Sequence, residues 1–205
     1  MKAFKLLILA VFIVGSLAGK ADCQVLFGIK GGGNLTKGVF DEANSKTDFA
    51  VKYHIGLQTQ IPLTESLFIK PELLYSVKGW GLSNNQTVSL SYLNLPIMVG
   101  YNIKKNFSIY AGSEFGYKFN EKLGNNNPDY ELYKKFDFGL TIGTSYMINS
   151  RFGIDLRYVH GFKDLINGNI TYFDNNGNIT GTGKIRDGRN RVIMLGVFYY
   201  FNSSK

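Results

Sequence analysis

With one cysteine, Cys23, the 205-residue chain cannot form an internal disulfide, so its stability has to come from burial and hydrogen bonding. Two histidines, His54 and His160, are its whole supply of imidazole. No metal-spaced His/Cys set, phosphate-cradling glycine loop or serine-centred elbow occurs, so no catalytic residue, metal or cofactor is expected. Beyond the N-terminal segment no apolar run is long enough for a membrane helix. Charge of one sign is never massed either. The formal charge of +8 includes Lys2, Lys5 and Lys20, and the rest is scattered, which argues against a nucleic-acid partner.

What is abundant is glycine, at 24 residues, and aromatic side chains, at 15 %. The N-terminus reads as a secretory signal peptide over residues 1–23. Lys2 and Lys5 precede the apolar Leu6 to Val14, and the small residues Gly15, Ser16, Ala18 and Gly19 follow. Cleavage after Ala21 or after Cys23 would suit a peptidase that reads small residues, leaving a single mature domain over 24–205. Cys23 is only weakly like a lipoprotein cysteine, because Lys20 and Asp22 flank it.

The clearest pattern lies between Lys135 and Phe162. Phe136, Phe138, Leu140, Ile142, Thr144 and Tyr146 alternate with Asp137, Gly139, Thr141, Gly143 and Ser145. After Asn149-Ser150, Phe152, Ile154, Leu156 and Tyr158 alternate with Gly153, Asp155, Arg157 and Val159. A period of two is a strand. One set is long, apolar and ends in aromatics, while the other mixes glycine with single charges. A strand between lipid and a cramped polar lumen has that composition.

Further strands are expected at Gln24 to Thr36, at 52–61, at 67–78, at Val88 to Tyr101, at Phe107 to Phe119 and at Val192 to Phe201. In the second, Tyr53, Ile55, Leu57 and Ile61 form the outward set; in the third, Leu67, Ile69, Leu73, Tyr75 and Val77 do. Pro71 should leave a bulge or an unpaired position. Short connections at Pro62 to Glu65, Asn102 to Lys105 and Asn149-Ser150 alternate with long ones centred on Asp41, Asn84, Asn126 and Asn175. Eight strands with short turns at one end and long loops at the other define an all-β fold, an antiparallel up-and-down transmembrane β-barrel. Within the last long loop, Asn-Gly between Ile170 to Phe173 and Asn178 to Thr182 signals a hairpin beyond the membrane.

The inward phase collects Lys30, Lys52, His54, Lys70, Glu72, Lys78, Glu114, Lys118, Asp137, Asp155 and Arg157. A selective pore would show one sign of charge. Here acids and bases interleave, and an eight-stranded barrel has room inside only for side chains, so this polar network is expected to plug the lumen. His54 should be lumen filling. His160, in RYVHGF, is similar to the Arg-x-x-His-x-Ser pattern of lipid A deacylases, but Phe162 stands where the serine nucleophile belongs; His160 is expected at the outer interface.

FGIKGGGNLT at 27–36, SYLNLPIMVGY at 91–101, KFDFGLTIGTSY at 135–146 and IDLRYVHGFKDL at 154–165, in that order and spacing, resemble the PorT-like or porin family of eight-stranded outer-membrane barrels of Gram-negative bacteria. The resemblance implies location and fold. Relatives usually carry charges where this chain has Asn94 and Gly100, which implies a sparser interior there. The combined expectation is a monomeric outer-membrane barrel with periplasmic termini and a structural or surface-binding role. Its partners would be outer-membrane lipids and lipopolysaccharide, and an extracellular or periplasmic protein. The alternatives are a small passive pore or export component, and, third, a lipid-modifying enzyme.

Overall fold

The computed structural model describes residues 24–40, 47–82, 86–124, 133–162, 165–166, 169–173, 179–184 and 188–202. The expected signal peptide and its cleavage sites, and the Asn-Gly turn of the outer hairpin, lie outside them. Ten strands follow in chain order: β1 (Leu26–Val39), β2 (Ala50–Pro62), β3 (Leu67–Gly81), β4 (Thr87–Lys104), β5 (Phe107–Leu123), β6 (Phe136–Met147), β7 (Phe152–Gly161), β8 (Asn169–Phe173), β9 (Ile179–Lys184) and β10 (Arg189–Tyr200). Eight of them close a barrel in the order β1-β10-β7-β6-β5-β4-β3-β2, every pairing antiparallel. β8 and β9 pair with each other in a separate two-stranded sheet, at the expected hairpin.

Closure leaves no edge in the membrane, where an unpaired backbone group would cost several kcal/mol. The seam between β1 and β10 runs from Gly28↔Tyr200 to Val39↔Arg189. Asn202 fastens its turn end, accepting from the Phe27 amide at 2.9 Å and donating to the Val25 carbonyl at 2.6 Å. The short connections use local side-chain chemistry. Asn149 accepts from the Arg151 and Phe152 amides, and Thr64 from those of Ser66 and Leu67.

The alternation sorts side chains as the two sets require. Ile29, Leu57, Leu140, Ile142, Leu156 and Leu195 face outward, between a turn-end aromatic belt of Phe27, Tyr101, Tyr146 and Tyr199 and a loop-end belt. In that upper belt Tyr53, Tyr75 and Phe119 stand in a row at 5.9 and 5.7 Å, and Phe115–Phe138 and Tyr117–Phe136 pair at 5.2 Å. Aromatic girdles flanking an aliphatic band match the two interfaces of a bilayer. Ile142, 62 % exposed and halfway along β6, lies in that band. Ile142→Arg is therefore expected to lower stability by about 2–4 kcal/mol in lipid vesicles, as read by guanidinium unfolding. A change within about 0.5 kcal/mol would mean that this face meets water.

Several details differ from the sequence reading. Ile61, expected outward, is 6 % exposed and pairs with Ile69 where the chain turns. Val77, also expected outward, is buried with the rest of the strand to Gly81, near the bridge from Asp48 to Gly81. Pro71 does what was expected of it, by the second of the two routes: it leaves unpaired positions and no bulge, since β2–β3 pairing stops after Gln58↔Glu72 and resumes at Ile61↔Ile69 in unchanged register. Strands β1, β5 and β10 run three or four residues further toward the loops than expected, because the barrel ladder carries through glycine and polar residues there.

Candidate functional site in the lumen

The inward side chains form layers. At the turn end Leu26, Phe198 and Tyr200 pack with Met147, and the Tyr200 hydroxyl donates to Gln60 at 3.1 Å. Above them sits an ionic layer drawn from four strands. Arg157 grips Glu72 with two parallel bonds, Nη1 to Oε2 at 2.9 Å and Nη2 to Oε1 at 2.7 Å. Lys30 pairs with Asp155 and lies 3.6 Å from Glu72; Lys70 lies 3.5 Å from Asp155 and 3.6 Å from Glu72. The Tyr110 hydroxyl donates to Asp155, and its ring underlies Lys70 at 4.9 Å and Arg157 at 5.3 Å.

An apolar layer of Leu74, Val159, Val192 and Met194 follows. Beside it Asn34 donates to the carbonyls of Tyr53 and Val77 and to Ser76 Oγ at 3.0–3.1 Å, and its Oδ1 lies 2.6 Å from His54 Nδ1. A second ionic layer centres on Lys78, which donates to Glu114 at 2.9 Å and Asp137 at 3.1 Å. Asn94 bonds Glu114 at 2.8 Å and Asn190 bonds Asp137 at 2.9 Å.

Closing the loop end is an apolar cap of Trp80, Val88, Leu90, Tyr92 and Leu165, against which Phe40, Leu82 and Tyr133 pack. Each of the four long connections sends a residue into it: Phe40, Leu82, Tyr133 and Leu165. The Trp80 ring meets Phe40 at 5.2 Å and Tyr133 at 5.4 Å, both edge to face. Burial in this cap pushes the Tyr133 phenol up to about 12.

The two ionic layers balance each other. Lys30, Lys70 and Arg157 exceed Glu72 and Asp155 by one charge, and Glu114 and Asp137 exceed Lys78 by one. Packed so tightly, an unmatched charge would cost several kcal/mol. Glu114 Oε2, Asp137 Oδ1, Asn94 Oδ1 and Asn190 Oδ1 have no hydrogen-bond partner among the described residues, and enclosed water commonly satisfies such acceptors.

Of the residues picked from sequence, Lys30, Lys70, Glu72, Asp155 and Arg157 meet in the first layer, and Lys78, Glu114 and Asp137 in the second. His54 is buried beside Asn34. Lys118 pairs instead with its neighbour Glu121, and Lys52 is half-buried and donates to Ser89 at 2.8 Å. Sequence reasoning missed Asn190, which fell in a segment read as loop, and the cap. Asn94, expected to thin the network, takes part in it, while Gly100 gives room to the Phe68 ring, which a Cβ would strike. His160 faces outward between Tyr158 and Phe162, with ring centroids at 6.1 and 4.8 Å. Among the described residues no three His, Cys, Asp or Glu gather as metal ligands.

Similar barrels are known. Ail, the attachment invasion locus protein of Yersinia pestis, crystallised in complex with the heparin analogue sucrose octasulfate, is 13 % identical with a TM-score of 0.50, over 87 % of this chain and 99 % of its own. Neisserial surface protein A is 11 % identical with a TM-score of 0.53, over 85 % and 97 %. No curated protein sequence matches. The profile of the family described as "Outer membrane protein beta-barrel domain" matches residues 21–167. A closed barrel with a lipid-facing aliphatic band, matched by that profile over most of its length, belongs to the outer membrane protein beta-barrel domain family and lies in the bacterial outer membrane.

Proposed function

We propose that the protein is a monomeric, closed barrel that acts by binding partners at the cell surface through its outer loops, without passing solutes and without catalysis. The observation that carries this reading is the layered lumen. Two apolar clusters stopper its ends, and between them four cations face four carboxylates with no excess of either sign. A path for ions needs a continuous wet route and a bias of charge. Short turns conventionally face the periplasm, which puts both termini there and the cap outside. The signal peptide over 1–23 and a PorT-like placement within the family, from the motifs at 27–36, 91–101, 135–146 and 154–165, belong to the same proposal. Ail, of the same fold, was crystallised with a heparin analogue, in keeping with a small barrel that works by binding.

Reconstituted in planar bilayers, the purified protein is expected to leave the membrane as resistive as a protein-free one. Stable open steps of large conductance would overturn the proposal and support the pore. Deacylation of lipopolysaccharide by the same preparation would overturn its non-enzymatic part.

A further inference from the structure

Where β1, β10 and β7 approach the loops, basic side chains stand side by side on the outer wall. Lys37 is the register partner of Arg191, and Arg191 of His160. Arg189 follows two residues nearer the loops, opposite Val39. Lys37, Arg191 and His160 each lie between two buried neighbours, so all three point away from the lumen. Aromatics mark their depth: the Lys37 ammonium lies 5.2 Å over the Phe49 ring, and His160 packs on Phe162. That is the level of the membrane–water interface. Arg191 Nη1 donates to the carbonyls of Gly161 at 2.8 Å and Asn190 at 3.1 Å, which holds its guanidinium against the wall.

The same row continues from His160 to Leu140 and from Leu140 to Ser113. There it enters a crevice of about 790 Å³, lined by Ala111, Ser113, Leu140, Ile142, Tyr158 and Phe162 among others, with His160 at its edge. The crevice exists because Ala111 and Ser113 are small where the outward side chains of β6 and β7 are large. In the membrane, hydrocarbon is what fills an apolar cleft of this kind. Of the basic row only His160 lines it, and from His160 the row leads to Arg191 and then Lys37, at the depth of lipid phosphates.

We propose that this face of the wall binds one acylated, phosphate-bearing lipid of the outer leaflet, lipopolysaccharide by chemical class. Its chain lies along Ala111 and Ser113, and its phosphate sits among Lys37, Arg191 and His160. The site depends on the membrane placement and not on the closed lumen, so conductance and lipid binding can fail separately.

The test is native mass spectrometry of the detergent-refolded barrel titrated with bis-phosphorylated lipid A. One bound lipid is expected, with affinity about fivefold weaker for each cation removed in Lys37→Gln and in Lys37→Gln/Arg191→Gln. Ala111→Phe, which fills the crevice, is expected to weaken it as well, and dephosphorylated lipid A to bind more weakly to the unaltered protein. Equal binding of the phosphorylated and dephosphorylated lipids, or wild-type affinity in Ala111→Phe or Lys37→Gln, would overturn the site. Lys37→Gln alone decides the charge arm if the double variant does not fold.

Discussion

Asp155→Leu is expected to destabilise the barrel by about 3–5 kcal/mol, the range for removing one partner from a buried ion network. In the native lumen Asp155 receives Lys30, Lys70, the Tyr110 hydroxyl and the Arg157 Nε side, the last at 3.3 Å. Without it three buried cations are left with Glu72 alone, and the Tyr110 hydroxyl loses its acceptor. Adding Lys30→Met removes one of the surplus cations. The double variant should then cost less than the two single costs added, by about 0.5–3 kcal/mol, as groups in one network do. Guanidinium unfolding of all three variants in detergent micelles measures this. Strict additivity, or a cost under about 0.5 kcal/mol for Asp155→Leu, would mean that water reaches this layer and that the lumen is not sealed.

Trp80→Ala should cost about 3–5 kcal/mol, because the indole fills the centre of the cap and its loss leaves a cavity. At 2 % exposure it touches residues from separate loops, so its removal loosens several loop anchors together. Trp80→Phe keeps an aromatic face for Phe40 and Tyr133 and should cost clearly less. Trp80 is also the only tryptophan, so its fluorescence in the unaltered protein reports the cap directly. Emission should be that of a dry indole, shielded from soluble quenchers. Unfolding of the variants is followed by circular dichroism. Trp80→Ala should still not conduct, because both ionic layers remain beneath the cap. Channel steps in this variant would show the cap to be the sole barrier.

The fold was legible because one period runs through the chain. Residues such as Ile142 and Leu156 on one phase, and Asp155 and Arg157 on the other, announce two unlike surroundings. The inward set of ions could be collected from that phase alone. Which ion meets which could not, since Arg157 and Glu72 are 85 residues apart and meet only through the stagger of a closed sheet. The cap was hidden for a different reason. Phe40, Tyr133 and Leu165 sit in apolar pairs, Val39-Phe40, Leu132-Tyr133 and Leu165-Ile166, that are too short within polar connections to carry a period. Val77 and Ile61 kept the outward phase in sequence, but the ends of the barrel bury both faces locally. Asn190 was lost with the start of β10, whose Arg-Asn-Arg opening resembles a loop.

The Asn202 clasp has a kinetic corollary. The bonds that finish the cylinder join Phe27 and Val25 to Asn202, 175 and 177 positions away, so the defining contact of the fold spans nearly all of the described residues. Long-range pairing of this kind slows assembly, because loop-closure entropy must be overcome before the contact forms. The hairpins on either side of the seam can zip early, but the first strand has to wait, one edge bare, until the final residues arrive.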